Sequence, residues 1–415
     1  MITLSLCMIV RDEEDVLGRC LDSVKDAADE IIIIDTGSED RTKETALKYT
    51  QNVYDFPWRD DFSAARNFAL EHGTMDYLMW MDADDVLPAE SRRKLIRLKE
   101  TLGADVDMVM MPYAAAFEPS GKTAFSYYRE RIVKNRRGFR FFGRVHEVIP
   151  PSGRICYEEI PVEHRKLKAG DSERNLRIYQ DMEKAGEMFD SRALYYYGRE
   201  LYFHGKYRKG REVLEQFLER PDGWVENKID ATRQLAGCLY GIGDDMGALK
   251  ALLQALEYDV PRGETCCDLG RHFQDREQYE QAVYWYRQAF GAKKDLTSGA
   301  FISEECYGFL PAISLCVCYD RLGDRKKAEQ YNELAGSYRP DSRYYLKNKE
   351  YFAAQRMKKG LWGGRTERQR SGKTGKKRIV SYSNRENRNK EIQICCGLKK
   401  EKNRKSINLR SRRSH

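Results

Sequence analysis

No apolar run in this chain approaches the roughly 18 residues that a helix needs to cross a bilayer, which argues against an enzyme embedded in a membrane. The amino terminus also lacks a basic stretch followed by an apolar segment and a cleavage site, so no signal peptide is expected. None of the 11 cysteines has a Cys-x-x-Cys partner. Cys266 and Cys267 are adjacent, as are Cys395 and Cys396, and Cys316 and Cys318 flank one residue. That usage fits neither a zinc ribbon nor a disulfide framework and suits a reducing compartment. The expectation is a cytoplasmic protein, soluble or in peripheral contact with the inner face of a membrane.

What is present is enough for two folded parts. The chain has 415 residues, more than one typical domain, and its 41% hydrophobic content supports real cores. Its net charge of +8 is unevenly distributed. From Lys358 to His415 there are 20 Lys and Arg against 4 Asp and Glu, leaving 53 against 61 for the rest. Few apolar residues and many like charges predict a disordered basic tail over 358–415. Aromatics are not interleaved there beyond Trp362 and Tyr382, which argues against nucleic-acid binding and favours a solvated arm able to touch anionic headgroups.

The amino-terminal third reads as alternating strands and helices. Ile2 to Val10 is an apolar strand that breaks at Arg11-Asp12-Glu13-Glu14, a helix is predicted from Val16 to Val24, and Ile31-Ile32-Ile33-Ile34-Asp35 is a second strand ending in an acid. Four consecutive isoleucines suit a parallel strand covered on both faces. Ser63, in Phe62-Ser63-Ala64-Ala65-Arg66-Asn67, is the candidate cap of a further helix. Tyr77-Leu78-Met79-Trp80-Met81 is a third buried strand, delivering Asp82-Ala83-Asp84-Asp85 at its carboxyl end. Ligands of open α/β sheets bind at that end. Asp82 and Asp84 in Asp-x-Asp spacing offer two hard oxygen ligands to one divalent cation, which can hold a diphosphate. The competing explanation is that these aspartates only cap the helix beginning at Ala89.

These segments, in this order, resemble the motifs of family 2 glycosyltransferases with the GT-A fold: Ser5 to Glu14, Ile34 to Ser38, Phe62 to Asn67 and Trp80 to Asp85. The resemblance spans roughly residues 1–165 and implies a Rossmann-like, mostly parallel sheet. It further implies Mn²⁺ or Mg²⁺ as cofactor and a nucleotide-diphosphate sugar, of the UDP-sugar kind, as donor. Asp35 and Arg66 are then expected at the nucleobase, with Glu13 also contacting the nucleotide. Asp82 is expected at the ribose or metal, and Asp84 at the metal and diphosphate. Asp12 departs from the Asn usual in the family. An inverting enzyme of this class needs a late carboxylate to take the acceptor's proton. The block Phe139 to Val148 resembles a second conserved block of one bacterial branch and makes Glu147 the candidate base. His164 is a candidate metal ligand, and His146 a candidate for metal or phosphate.

The remainder turns helical and repetitive, with a connector over 166–189. Small residues recur at Gly210, Ala248, Ala282 and Ala328, and again twelve positions earlier at Gly198, Ala236, Gly270 and Cys316. One interval, 248 to 282, matches the 34-residue tetratricopeptide period. An all-α tetratricopeptide-like solenoid over 190–357 is expected, with Leu201, Leu239, Phe273 and Tyr319 filling the space between paired helices. Tyr195-Tyr196-Tyr197 and Tyr284-Trp285-Tyr286 are read as packing residues. Such a solenoid offers a surface to a protein partner, a peptide or a second copy. The expected function is metal-dependent, inverting sugar transfer to an envelope glycan, a lipid-linked saccharide or a peptide. Two rivals stand beside it. A nucleotidyltransferase would carry a Gly-rich basic loop where this chain has Arg11-Asp12-Glu13-Glu14. A repeat scaffold with a dead catalytic domain has no need to keep Asp35, Arg66, Asp82, Asp84 and Glu147 together.

Overall fold

The computed structural model of the protein describes residues 1–117, 121, 123–167, 171–295 and 298–362. The basic segment predicted to be disordered lies almost wholly outside the described residues.

The first elements are β1 (Leu4–Val10), α1 (Leu17–Val24), β2 (Glu30–Asp35), α2 (Thr42–Ala46), β3 (Val53–Asp55), α3 (Phe62–Glu71) and β4 (Tyr77–Trp80). Helix α1 forms because Leu17, Cys20, Leu21 and Val24 recur at helical spacing and are all buried. The isoleucine strand divides its side chains as expected. Ile33 joins the core beneath α1, whereas Ile32 and Ile34 enter a second core with Cys7, Trp80 and Phe141 on the opposite face. Strands β3, β2, β1 and β4 are parallel neighbours in that order. Because Val10 pairs with Asp35 and Cys7 with Trp80, the carboxyl ends of three strands open on one edge.

The domain continues through β5 (Asp85–Val86), α4 (Ala89–Thr101), β6 (Met108–Phe117), β7 (Thr123–Lys134), β8 (Ile155–Tyr157) and β9 (Val162–His164). These complete a nine-stranded sheet that is parallel through its first four strands and mixed beyond them. Strand β7 runs antiparallel to β4, with Met79 opposite Ile132, which carries Arg129 and Arg131 past the end of β4. Strand β9 pairs antiparallel with β5 and sets His164 opposite Asp85. Strand β5 separates the aspartates from α4, whose N-cap is Pro88 without a side-chain cap, so helix capping is not what Asp82 and Asp84 do. Ser63 is likewise not the cap of α3. Asp61 accepts from the Ala64 amide at 2.9 Å and from Ser63 Oγ at 2.8 Å, which places Ser63 inside the first turn.

After α5 (Arg174–Lys184) come four helical hairpins: α6 (Ser191–Phe203) with α7 (Tyr207–Leu218), α8 (Val225–Gly241) with α9 (Asp245–Gln254), α10 (Gly263–Asp275) with α11 (Tyr279–Gly291), and α12 (Phe309–Arg321) with α13 (Arg325–Tyr338). A last helix, α14 (Arg343–Trp362), packs on α13 and runs past the expected end of the repeats at 357. The recurring small residues sit where partner helices touch. A Cβ on Gly198 would lie 2.6 Å from Leu214 Cγ, and one on Gly270 would lie 2.8 Å from the buried Tyr286 ring. The predicted fillers Leu201, Leu239 and Tyr319 are buried, with Phe273 packed against the third core. Tyr195 to Tyr197 and Tyr286 are buried as well, but Tyr284 is exposed. Gly270→Val should therefore destabilise the repeats by about 1–3 kcal/mol through overpacking, read as a lower thermal midpoint by circular dichroism. An unchanged midpoint would show that the helices do not need this close approach. No helix among the described residues is long and apolar enough to cross a membrane.

Candidate functional site

The turn that follows β4 organises the acidic centre. The Asp85 amide donates to the Asp82 carbonyl at 3.0 Å, and the Asp82 amide donates back to Asp85 Oδ2 at 3.1 Å. Asp85 is fully buried, and its carboxylate also accepts from Tyr113 Oη at 3.0 Å and Arg131 Nη1 at 3.2 Å. A buried carboxylate needs that many donors. Opposite it, His164 Nδ1 lies 3.3 Å from Asp84 Oδ1 and 3.5 Å from Asp85 Oδ1. Asp84, Asp85 and His164 each bring one ligand atom into a group whose members all lie within 4.8 Å of one another. Burial works against a charged imidazole here, but the adjoining Asp84 and Asp85 carboxylates outweigh it and push the His164 pKa up to about 10.

Asp82 is not a member of that group of three. Its Oδ1 receives Arg66 Nη2 at 2.6 Å, and Arg66 Nε reaches Glu147 Oε1 at 2.6 Å, so one buried guanidinium joins Asp82 on β4's turn to Glu147 on the 139–148 segment. Burial alone would raise both carboxyl pKa values. Arg66 with Arg131 at Asp82, and Arg66 with Arg129 at Glu147, outweigh it and hold both acids below the usual carboxylate range. Three arginines surround one aromatic ring: the guanidinium carbons of Arg66, Arg129 and Arg131 lie 4.7, 4.8 and 4.0 Å from the Trp80 centroid. The π face offsets part of the cost of packing like charges together. Among the described residues Arg66 Nη1 is buried without a hydrogen-bond partner.

At the end of β2, Asp35 Oδ1 accepts from the amides of Gly37 and Ser38, both at 2.9 Å. Among the described residues its Oδ2 is buried with no hydrogen-bond partner. Asp12 adopts a left-handed φ of 54°, a conformation that Asn and Asp tolerate well, and its Oδ1 accepts from the Glu39 amide at 2.8 Å. The departure from Asn at position 12 thus keeps a residue that fits the turn, with its side chain spent on the neighbouring loop. The Glu13 amide donates to Thr42 Oγ1 at 2.7 Å, and Glu13 lines the same cleft as Thr36.

A cleft of about 900 Å³ runs from Val10 and Thr36 past Asp82, Asp84, Glu147 and His164 to the helical hairpins, where Tyr196, Arg199 and Phe301 form its far wall. The structure thus brings Arg66, Asp82 and Glu147 into one ion-paired group and Asp84 and His164 into another, with Asp85 as the added member. His146 sits apart from the acidic group, its Nε2 2.8 Å from Glu200 Oε1 on α6. Sequence reasoning missed Asp85, Arg129, Arg131 and Glu200. The alternation Arg129-Glu130-Arg131 just before the buried Ile132 and Val133 was the available signal for two of them, because charges on a covered strand need partners.

Residues 5–155 match the family model described as glycosyl transferase family 2. Over 152 residues, 37% of this chain and 36% of the other, the protein is 40% identical to a TPR repeat-containing protein of Synechococcus elongatus. Over 290 residues it is 25% identical to the SPbeta prophage-derived glycosyltransferase SunS of Bacillus subtilis, covering 64% of this chain and 65% of that one. It is 28% identical over 163 residues to the lipopolysaccharide core biosynthesis glycosyltransferase LpsC of Rhizobium meliloti, covering 37% of this chain and 58% of that one. The chain spans from about a third to just under two thirds of the length of these relatives.

Proposed function

We propose, from the premise that residues 5–155 are a domain of glycosyltransferase family 2, that this protein transfers a sugar from a nucleotide-diphosphate sugar, a UDP-sugar by preference, with inversion and with the help of a divalent cation. The observation that carries the proposal is the grouping of Asp84, Asp85 and His164 at the carboxyl edge of the sheet, beside the Arg66, Asp82 and Glu147 group. A carboxylate with an imidazole forms a donor set that suits Mn²⁺ better than Mg²⁺, which prefers oxygen alone. Asp84 and His164 would hold the cation, the imidazole giving up its proton to solvent on binding it. Asp85 has its oxygens engaged by Arg131, Tyr113 and the Asp82 amide, so it chiefly fixes the other ligands in place. A cation bound there neutralises charge developing on the leaving diphosphate.

Around it, Asp35 accepts a nucleobase N–H through its unpartnered Oδ2, and Glu13 borders the nucleotide end of the cleft. Arg66 holds Asp82 toward the ribose and Glu147 toward the acceptor, leaving Nη1 to donate to the nucleotide. Glu147 takes the proton of the acceptor as the new glycosidic bond forms. The acceptor, a glycan, lipid-linked saccharide or peptide, approaches from the helical wall of the cleft.

A panel of nucleoside-diphosphate sugars, tested by calorimetry and by slow donor hydrolysis with Mn²⁺, Mg²⁺ or EDTA, checks the reading. At least one UDP-sugar should bind and be hydrolysed only with a cation. Absence of binding across the panel would overturn the proposal in favour of a repeat scaffold without catalysis.

A further inference from the structure

The segment that carries Glu147 is anchored by the helical hairpins as much as by its own domain. His146, the preceding residue, has a φ of 53°, in the left-handed region that a β-carbon makes unfavourable. Such a backbone persists only where its surroundings fix it. Three contacts from the single helix α6 do so. Glu200 Oε1 meets His146 Nε2 at 2.8 Å, the Tyr196 ring stacks on the imidazole at 4.3 Å and 12°, and Arg192 donates twice to the His146 carbonyl at 3.0 and 2.9 Å. Further anchors lie just upstream, where Tyr179 Oη of α5 donates to the Val145 carbonyl at 3.4 Å and Arg144 pairs with Glu187 at 2.6 Å. From the sheet side, the Phe62 amide donates to the Arg144 carbonyl at 2.8 Å, Phe142 and Val148 exchange amide–carbonyl bonds at 2.9 and 3.1 Å, Arg129 Nη2 donates to the Glu147 carbonyl at 3.2 Å and Arg66 to its carboxylate. Glu200 is itself buried and fixed, with Asn175 Nδ2 3.4 Å from the same oxygen.

We infer that the first helical hairpin is part of the catalytic apparatus, with Glu200, aided by Tyr196 and Arg192, acting as a positioning residue that aims Glu147 through the strained backbone of His146. The inference rests on Glu147 being the base. It differs from a division in which the sheet domain alone handles the donor and the repeats only select the acceptor, because chain cut away after α5 would take the aim of Glu147 with it. A displacement of about 1 Å in a reacting group is enough to lower a rate by roughly 10²-fold.

The test uses the full chain with Glu200→Ala, Glu200→Gln and Arg192→Ala. Hydrogen exchange across residues 144–149 reads the anchoring directly, and hydrolysis of the best UDP-sugar reads its consequence. UDP with Mn²⁺ serves as the binding probe. Glu200→Ala should speed exchange across 144–149 by about tenfold or more. It should also slow turnover by roughly 10-fold to 10²-fold, with KM for the donor and affinity for UDP with Mn²⁺ within about threefold. Glu200→Gln keeps an acceptor for His146 and should restore most of both. Arg192→Ala loosens the same segment without touching the buried carboxylate, so it reports even if Glu200→Ala folds poorly. Unchanged exchange across 144–149 in Glu200→Ala and Arg192→Ala overturns the inference, as does a loss of UDP affinity equal to the loss of turnover. If the segment loosens while Glu147→Gln remains fully active, the assignment of the base fails instead, and the anchoring stands.

Discussion

Asp84→Ala should lower sugar transfer by about 10³-fold, the several kcal/mol expected when a cation can no longer stabilise a departing diphosphate. The side chain is well placed for that loss to be specific. Its Oδ1 stands 3.3 Å from His164 Nδ1 in the group of three ligand atoms, whereas the Asp84 backbone is held independently, its carbonyl accepting from the Arg165 amide at 2.9 Å. Removing the carboxylate leaves that contact, the Asp85 network and the β5–β9 pairing intact. The thermal midpoint should consequently stay close to that of the parent, while the gain in UDP affinity on adding Mn²⁺ disappears. Transfer within tenfold of the parent, or an undiminished response of UDP binding to Mn²⁺, would remove Asp84 from the metal site.

The strand ends of this site could be seen in the sequence because each strand is covered on both faces and must be apolar throughout, so that Ile31 to Ile34 and Tyr77 to Met81 stand out and the acids terminating them stand out with them. The hairpins were legible for a related reason. Gly198 and Gly270 lie where a side chain would strike Leu214 or Tyr286, and such contacts recur with the repeat. What stayed hidden depends on pairing between distant segments. His164 drew attention as a lone histidine, but its place beside Asp84 and Asp85 is set by the antiparallel register of two very short strands, β5 and β9, which no local pattern announces. The same holds for Trp80, which meets Arg129 and Arg131 because β7 runs back along β4, and Arg66 from α3. Ser63 was read as the cap because its type favours that position, but Asp61 favours it too, and it is the Asp61 carboxylate that accepts from the Ala64 amide. The contact of α6 with His146 was the least visible of all, since it joins two parts that sequence reasoning had treated as separable.

Glu147→Gln should lower transfer by roughly 10²-fold or more while donor affinity remains near that of the parent, because the amide preserves the shape and can still accept from Arg66 Nε but has no basic oxygen for the acceptor's proton. The charge state of the parent residue fits the role. Burial raises the Glu147 carboxyl pKa, but Arg66 and Arg129 outweigh burial and bring it below its ordinary value, so the side chain is ionised at neutral pH. The sign follows for the pH profile. A base is active above its own pKa, so a lowered pKa moves the acid limb of the turnover profile below the range of an ordinary glutamate, and Glu147 should impose no fall in rate between about pH 5 and 7. The same arginines that keep the carboxylate ionised also weaken it as a base. Product analysis should show inversion at the anomeric carbon. Retention of configuration would exclude single displacement, and a drop of less than about tenfold in Glu147→Gln would pass the role of base to another carboxylate of the cleft.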